Sequence, residues 1–183
     1  ALCHSFGTMA TGGFSTMDVS IAAYGGLIQW TIIFFMFCAA TNFSLHYYFI
    51  AKGRVKYYKD QEFKVYFLLI FFCAFLFIVS LLNTDDYSIN FDTVTHALFT
   101  SISLITTTGF VTDDFNTWPA MSKTLVFFLL FIGGSAGSTT GGMKIIRSIL
   151  VFRYLVYQVR KLLHPKGVFN ITIGKKTIED DVV

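Results

Sequence analysis

Two short strings in this sequence hold the residue types that can strip a monovalent cation of its water without a charged ligand. One is Thr8-Met9-Ala10-Thr11-Gly12-Gly13-Phe14-Ser15-Thr16, the other Leu104-Ile105-Thr106-Thr107-Thr108-Gly109-Phe110-Val111-Thr112. Placing Gly13 over Gly109 also places Thr11 over Thr107, Phe14 over Phe110 and Thr16 over Thr112. Potassium-selective filters replace the ion's hydration shell with rings of backbone carbonyl oxygens. Successive carbonyls converge on one axis only if some residues reach conformations that glycine adopts cheaply. Threonine adds a hydroxyl oxygen, and the phenylalanine after each glycine can pack behind the loop. A single string of this kind could be an ordinary turn. Two of them, each after a short amphipathic segment and before an apolar run, point to a repeated unit of helix, half-helix, Thr/Gly loop and helix. Asp18, Asp113 and Asp114 follow the loops, where they would concentrate cations at an outer mouth. For each aspartate taken singly, a solvated loop face is an equal alternative.

The elements that must position these loops are apolar. Of the 183 residues, 54% are hydrophobic and 14% charged, with 22 phenylalanines. A chain this short cannot hide that much apolar side chain inside itself, so lipid is the expected solvent. Tyr24 to Ile50 and Val65 to Leu82 carry no charge, and about 20 residues of helix cross the hydrocarbon core. A soluble core helix is the competing reading, but both runs exceed the usual length for one. Lys52, Arg54, Lys56, Lys59 and Lys64 lie between the two runs, and Lys144, Arg147, Arg153, Arg160, Lys161, Lys166, Lys175 and Lys176 follow the last one. Residues 83–119 hold Asp85, Asp86, Asp92, Asp113 and Asp114 and no Lys or Arg. The basic stretches belong in the cytoplasm and the acidic one outside. A third crossing must then run from about residue 120 to about 163. Trp118 and Tyr87 are expected in the interfacial belt.

That third crossing is interrupted by Gly133-Gly134-Ser135-Ala136-Gly137-Ser138-Thr139-Thr140-Gly141-Gly142, then Met143-Lys144. A phosphate loop is excluded, because its glycine must be followed by Lys-Ser/Thr. Small-xxx-small helix packing is one reading, since Gly133/Gly137 and Gly137/Gly141 have that spacing. The reading favoured here is an unwound segment at membrane depth acting as a movable barrier. Its residues are Gly133, Gly134, Gly137, Ser138, Thr139, Thr140, Gly141 and Gly142. Lys144 then either snorkels to the interface or repels ions when the barrier is closed. His4 and His96 lie near the starts of the short segments and receive no role. Cys3, Cys38 and Cys73 have no metal or redox spacing. The net charge of +3 does not suggest nucleic-acid binding. No pair of acidic or histidine side chains sits inside the apolar runs for a proton relay, which weighs against an enzyme.

The expected fold is therefore all-α integral membrane, with repeated helix–pore-loop–helix units and a last helix broken by a glycine-rich loop. Residues 1–50 would end one unit, 51–64 form a cytoplasmic loop, 65–163 a complete unit, and 164–183 a cytoplasmic segment. The chain begins inside a motif, without Met, so it is expected to be an internal piece of a longer protein.

These motifs resemble the TrkH/KtrB group of bacterial potassium uptake proteins, and TrkH more than KtrB. The resemblance rests on His4-Ser5-Phe6 with Gly12-Gly13-Phe14-Ser15-Thr16, on Thr106-Thr107-Thr108-Gly109-Phe110 with Trp118-Pro119, on the glycine stretch through Lys144, and on His164-Pro165. It implies four such repeats in one chain, of which this piece spans the second filter loop through the third repeat. It implies carbonyl ligands for K+ at Thr11, Gly12, Gly13, Thr107, Thr108 and Gly109, and an intramembrane gate at the glycine loop. It also implies a multi-pass protein of the bacterial inner membrane, a homodimer, and a cytosolic TrkA-like nucleotide-binding regulatory subunit that would hold any nucleotide. No covalent chemistry is expected. A sodium-permeant or sodium-coupled relative, or a non-conducting assembly subunit, are the alternatives.

Overall fold

The computed structural model describes residues 1–53, 57–84, 87–88, 90–163, 171–173 and 176–178. Arg54, Lys56, Asp85, Asp86, His164-Pro165, Lys166, Lys175 and most of the expected segment 164–183 lie outside the described residues. In chain order the helices are α1 (Leu2–Met9), α2 (Gly26–Ala39), α3 (Phe43–Lys52), α4 (Gln61–Leu82), α5 (Phe91–Ile105), α6 (Ala120–Leu129) and α7 (Ile145–Leu163). Single 3-10 turns occupy Ser20–Ala23 and Tyr57–Lys59. The all-α expectation needs one amendment: β1 (Ile171–Ile173) and β2 (Lys176–Ile178) pair antiparallel. Five of these six residues are Ile or Thr, a composition that favours strand over helix.

Helix α4 is the one continuous helix among the described residues that is long and apolar enough to cross a membrane. Its 22 residues span about 33 Å at 1.5 Å each. The Asp60 carboxylate caps it, accepting from Phe63 N at 2.7 Å. The cap sets the start at Gln61, ahead of the expected Val65, so Glu62 belongs to the helix and not to the loop before it.

The first apolar run is not a straight crossing. Helices α2 and α3 meet at an angle of 96°. Nothing in the apolar pattern of Tyr24 to Ile50 marks the break. Its local cause is Asn42, whose Oδ1 accepts from Ser44 N at 2.8 Å and starts a new helix in a new direction. The third apolar run is also broken, into α6 and α7 with the glycine stretch between them.

Helix α5 lies against α4 and α2. It carries buried Thr93, Thr95, Thr100, Ser101 and Ser103, and small hydroxyl residues allow helices to approach closely. Ser101 Oγ donates to the Ile70 carbonyl of α4 at 2.9 Å. Ser122 on α6 bonds Ser80 on α4 at 2.8 Å. Met36, Tyr66, Ile70, Phe77, Phe99, Ile105 and Leu129 fill the core between them. The outward faces of α4 and α6 show Leu68, Phe71, Phe72, Phe75, Phe127 and Phe128, and Phe131 just beyond α6 is exposed too. A soluble monomer rarely presents so large an apolar patch to water; lipid or further helices suit it. Trp118 is fully buried against Phe77, with its indole N–H donating to Asp113.

Inside and outside faces of α4 should respond differently. Phe77→Ala is expected to lower the stability of the full-length protein by about 3 kcal/mol, as cavities of this size do. Phe75→Ala, on the outward face, should change it by less than about 1 kcal/mol. Thermal unfolding of the detergent-solubilised protein checks the contrast.

Candidate functional site

Both Thr/Gly loops grow from helix ends built the same way. At the end of α1, Thr11 N donates to Thr8 O and Gly12 N to Gly7 O; at the end of α5, Thr107 N donates to Leu104 O and Thr108 N to Ser103 O. These are paired Schellman caps, which place the residue after the cap in the left-handed region. Glycine normally takes that place. Here threonine does, with φ of 51° at Thr11 and 55° at Thr107. A β-branched residue there is strained by about 1–3 kcal/mol, and such strain persists where surroundings enforce it, commonly at ligand clamps. Two residues on, Gly13 and Gly109 also have positive φ, at 67° and 80°. The correspondence read in the sequence is thus a correspondence of backbone conformation.

The loops also meet each other. A Cβ on Gly13 would lie 1.9 Å from the Thr108 carbonyl oxygen, so only glycine permits this approach. Beyond the glycines, Ile21 N donates to Val111 O at 3.0 Å and Val111 N to Ser20 Oγ at 3.2 Å. Ser103 Oγ donates to Phe110 O at 2.7 Å. Each short helix also supplies a histidine brace that sequence reading left without a role. His4 Nε2 bonds Ser15 Oγ at 2.9 Å, and His96 Nδ1 bonds Thr112 Oγ1 at 3.0 Å. The two phenylalanines differ. Phe110 is 2% exposed, packed on His4 and over Gly7, whereas Phe14 is 77% exposed. Phe110 leans on α1, the half-helix of the unit before it.

The three aspartates are not equivalent. Asp18 is exposed. Asp113 Oδ2 accepts from Tyr87 OH and Trp118 Nε1, both at 2.9 Å. Asp114 Oδ1 accepts from Asn116 N and Nδ2. Burial, reinforced by donation to Asp113, pushes the Tyr87 phenol above its ordinary pKa, so it remains a donor. Asp113 and Asp114 shape the 111–118 loop as well as charging it.

The glycine stretch is an ordered loop closed at its neck. Gly133 N donates to Met143 O at 2.8 Å and Met143 N to Phe131 O at 3.1 Å, forming a parallel bridge between Ile132 and Met143. A Cβ on Gly133 would stand 2.1 Å from Gly141 O, so the strands of the neck touch through backbone alone. Inside the loop the Thr140 hydroxyl is a hub. It meets Gly134 N at 3.1 Å, Ser138 Oγ at 2.8 Å and Lys144 Nζ at 2.8 Å. Lys144 also donates to the Thr140 carbonyl.

This loop fills the bend between α2 and α3. Ser135 N donates to Ala40 O at 3.0 Å, Thr139 Oγ1 to Ala39 O at 3.2 Å, and Phe43 N to Gly137 O at 3.0 Å. The two strained threonines reach it as well. Thr11 Oγ1 donates to Thr139 O at 3.1 Å, and Thr107 Oγ1 accepts from Gly141 N at 2.7 Å. The structure thus gathers Thr11, Gly13, Thr107, Thr108 and the glycine loop into one hydrogen-bonded region, with Asp18 and Asp114 exposed. Glu62, buried beneath the loop, was hidden in the sequence within a run of charges. Among the described residues, no three His, Cys, Asp or Glu side chains gather into a metal site. The oxygen donors available on these loops are carbonyls and hydroxyls.

The family described as TrkH, cation transport protein, matches residues 1–183. The chain belongs to the TrkH family. It is 40% identical over 190 residues to the Trk system potassium uptake protein TrkH of Vibrio parahaemolyticus, covering all of this chain and 39% of that protein. The TrkH of Halomonas elongata is 40% identical over 186 residues, with 38% of its length covered. That of Escherichia coli K12 is 34% identical over 185 residues, again with 38% covered. The chain therefore spans under two fifths of the length of these relatives. The crystal structure of the potassium transporter TrkH from Vibrio parahaemolyticus superposes with a TM-score of 0.88 at 38% identity, over 93% of this chain and 37% of that one.

The contact between the loops makes a sharp prediction. Gly13→Ala should lower stability by roughly 3 kcal/mol or more, because clash and positive φ act together. Gly12→Ala, whose Cβ would come no closer than 3.4 Å to the Phe14 ring, should stay within about 1 kcal/mol of wild type. Thermal stability and the yield of monodisperse full-length protein distinguish the two.

Proposed function

We propose that this chain supplies two filter loops and the gate of a protein that takes up potassium across the bacterial inner membrane. The single observation carrying this reading is the duplicated loop backbone, with a left-handed threonine and a positive-φ glycine at matching positions in both units. Ordinary turns have no reason to share strained threonines. Relatives named as potassium uptake proteins support the choice of ion.

In this reading, potassium is the cargo. The carbonyls of Thr11, Gly12, Gly13, Thr107, Thr108 and Gly109 take the place of its water, and Asp18, Asp113 and Asp114 raise its concentration outside. The loop from Gly133 to Gly142 is the barrier beneath the filter, and Lys144 adds positive charge at its inner edge. Transport needs no bond to form or break. The remaining two filter loops belong to the longer protein, which crosses the membrane several times. The family likeness extends the proposal to a homodimer and a cytosolic nucleotide-binding partner.

Two variants of the full-length protein in liposomes test it. Gly109 has room for a side chain but holds φ at 80°. Gly109→Ser is therefore expected to lower potassium-over-sodium selectivity about tenfold, the equivalent of roughly 1.4 kcal/mol. Unchanged selectivity overturns the filter assignment. Deleting Gly137 to Gly141 spares the bridged Ile132 and Met143 but removes the tip of the loop and its Thr140 hub, and is expected to raise basal potassium flux several-fold. Unchanged or lower flux in folded protein counts against the gate.

A further inference from the structure

Glu62 is 7% exposed, yet neither the filter nor the barrier as described uses it. It stands in the first turn of α4, where the helix dipole favours a carboxylate. One oxygen, Oε1, accepts from Ala136 N of the glycine loop at 2.8 Å and from Ile146 N at 3.1 Å. Ile146 is the second residue of α7, and its amide has no partner within the helix at that position. Three elements therefore converge on one atom. A buried carboxylate is stable only when hydrogen-bonded or paired, and these two amides meet that need. Lys144 instead turns its ammonium to Thr140 within the loop. The link from the loop to α4 thus runs through Glu62, while the loop meets α7 both at this oxygen and through Ile145 N, which donates to Gly134 O at 3.2 Å.

We propose that Glu62 is the positioning residue that latches the glycine loop to α4 and to the first turn of α7, and so sets the closed position of the barrier. This rests on the gate reading above. The threonines hold the loop from the filter side, and Glu62 holds it from the first turn of α4. Because the same oxygen binds α7, a displacement of α7 releases the loop. A force on the basic helix that follows the loop would then reach the barrier through this carboxylate as well as through the Ile145–Gly134 backbone bond.

The test uses the full-length protein with Glu62→Ala and Glu62→Gln. Hydrogen exchange read by mass spectrometry follows the peptides covering 133–146 and, as an internal reference, those of α5. Potassium and sodium flux is measured on the same proteins in liposomes. Glu62→Ala is expected to speed exchange in 133–146 at least tenfold, leave α5 unchanged, raise basal potassium flux about fivefold and leave the potassium-to-sodium ratio as it was. Glu62→Gln keeps an acceptor oxygen and is expected to restore most of the protection, with exchange within about threefold of wild type. Faster exchange with unchanged flux retains the latch and overturns the gate reading. Wild-type exchange in Glu62→Ala overturns the latch, whatever the flux. If Glu62→Ala does not fold, Glu62→Gln decides: a two- to threefold rise confined to 133–146 supports the latch, and no rise, or an equal rise in α5, overturns it.

Discussion

Buried backbone polar groups must find partners within the protein, and the bend after α2 is where this chain has to supply several at once. The last four carbonyls of a helix lose their helical donors. Here each is answered. Phe37 O accepts from Thr41 Oγ1 and Tyr66 OH, and Cys38 O bonds His46 Nε2. Ala39 O accepts from the Thr139 hydroxyl, and Ala40 O from Ser135 N. The last two donors belong to the glycine loop. The bend in one apolar run and the break in another, about a hundred residues later in the sequence, therefore form one structural feature. Neither would be satisfied without the other.

This explains what the sequence disclosed and what it withheld. The Thr/Gly loops were legible because their cause is local: a short amphipathic helix, then residues suited to a left-handed turn. The glycine stretch was legible because ten residues without a large apolar side chain cannot continue a membrane helix. The bend at residues 40–42 was not, because Ala40-Thr41-Asn42 sits in an uncharged run and only Asn42 hints at a new helix start. Its main support comes from far along the chain. Glu62 was concealed for a similar reason. Among Asp60, Lys64 and the nearby lysines it looks like one more solvated charge, and only the packing of the loop buries it. Asp113 looked like a free surface charge until Tyr87 and Trp118 were found to converge on it. The phenylalanines of the two loops match in sequence yet differ in burial, because Phe110 packs on α1, far away in the sequence.

The strained threonines join the two ends of this arrangement. A hydroxyl on a left-handed residue is held in a fixed direction by the cap that follows the helix. In both units it points to the same loop, donating from Thr11 and accepting at Thr107. The conformational cost of threonine at these positions is therefore tied to a contact that glycine could not make.

The closed neck of the glycine loop has a further consequence. Because Ile132 and Met143 are bridged, the path from α6 to α7 runs directly across that bridge, and the residues between form a side branch. A branch of this kind can be lengthened, shortened or rearranged without altering the distance or register between the helices it interrupts. The branch can thus shift while the neck and the helix pair stay fixed. A protein built this way can rearrange the branch without disturbing its frame.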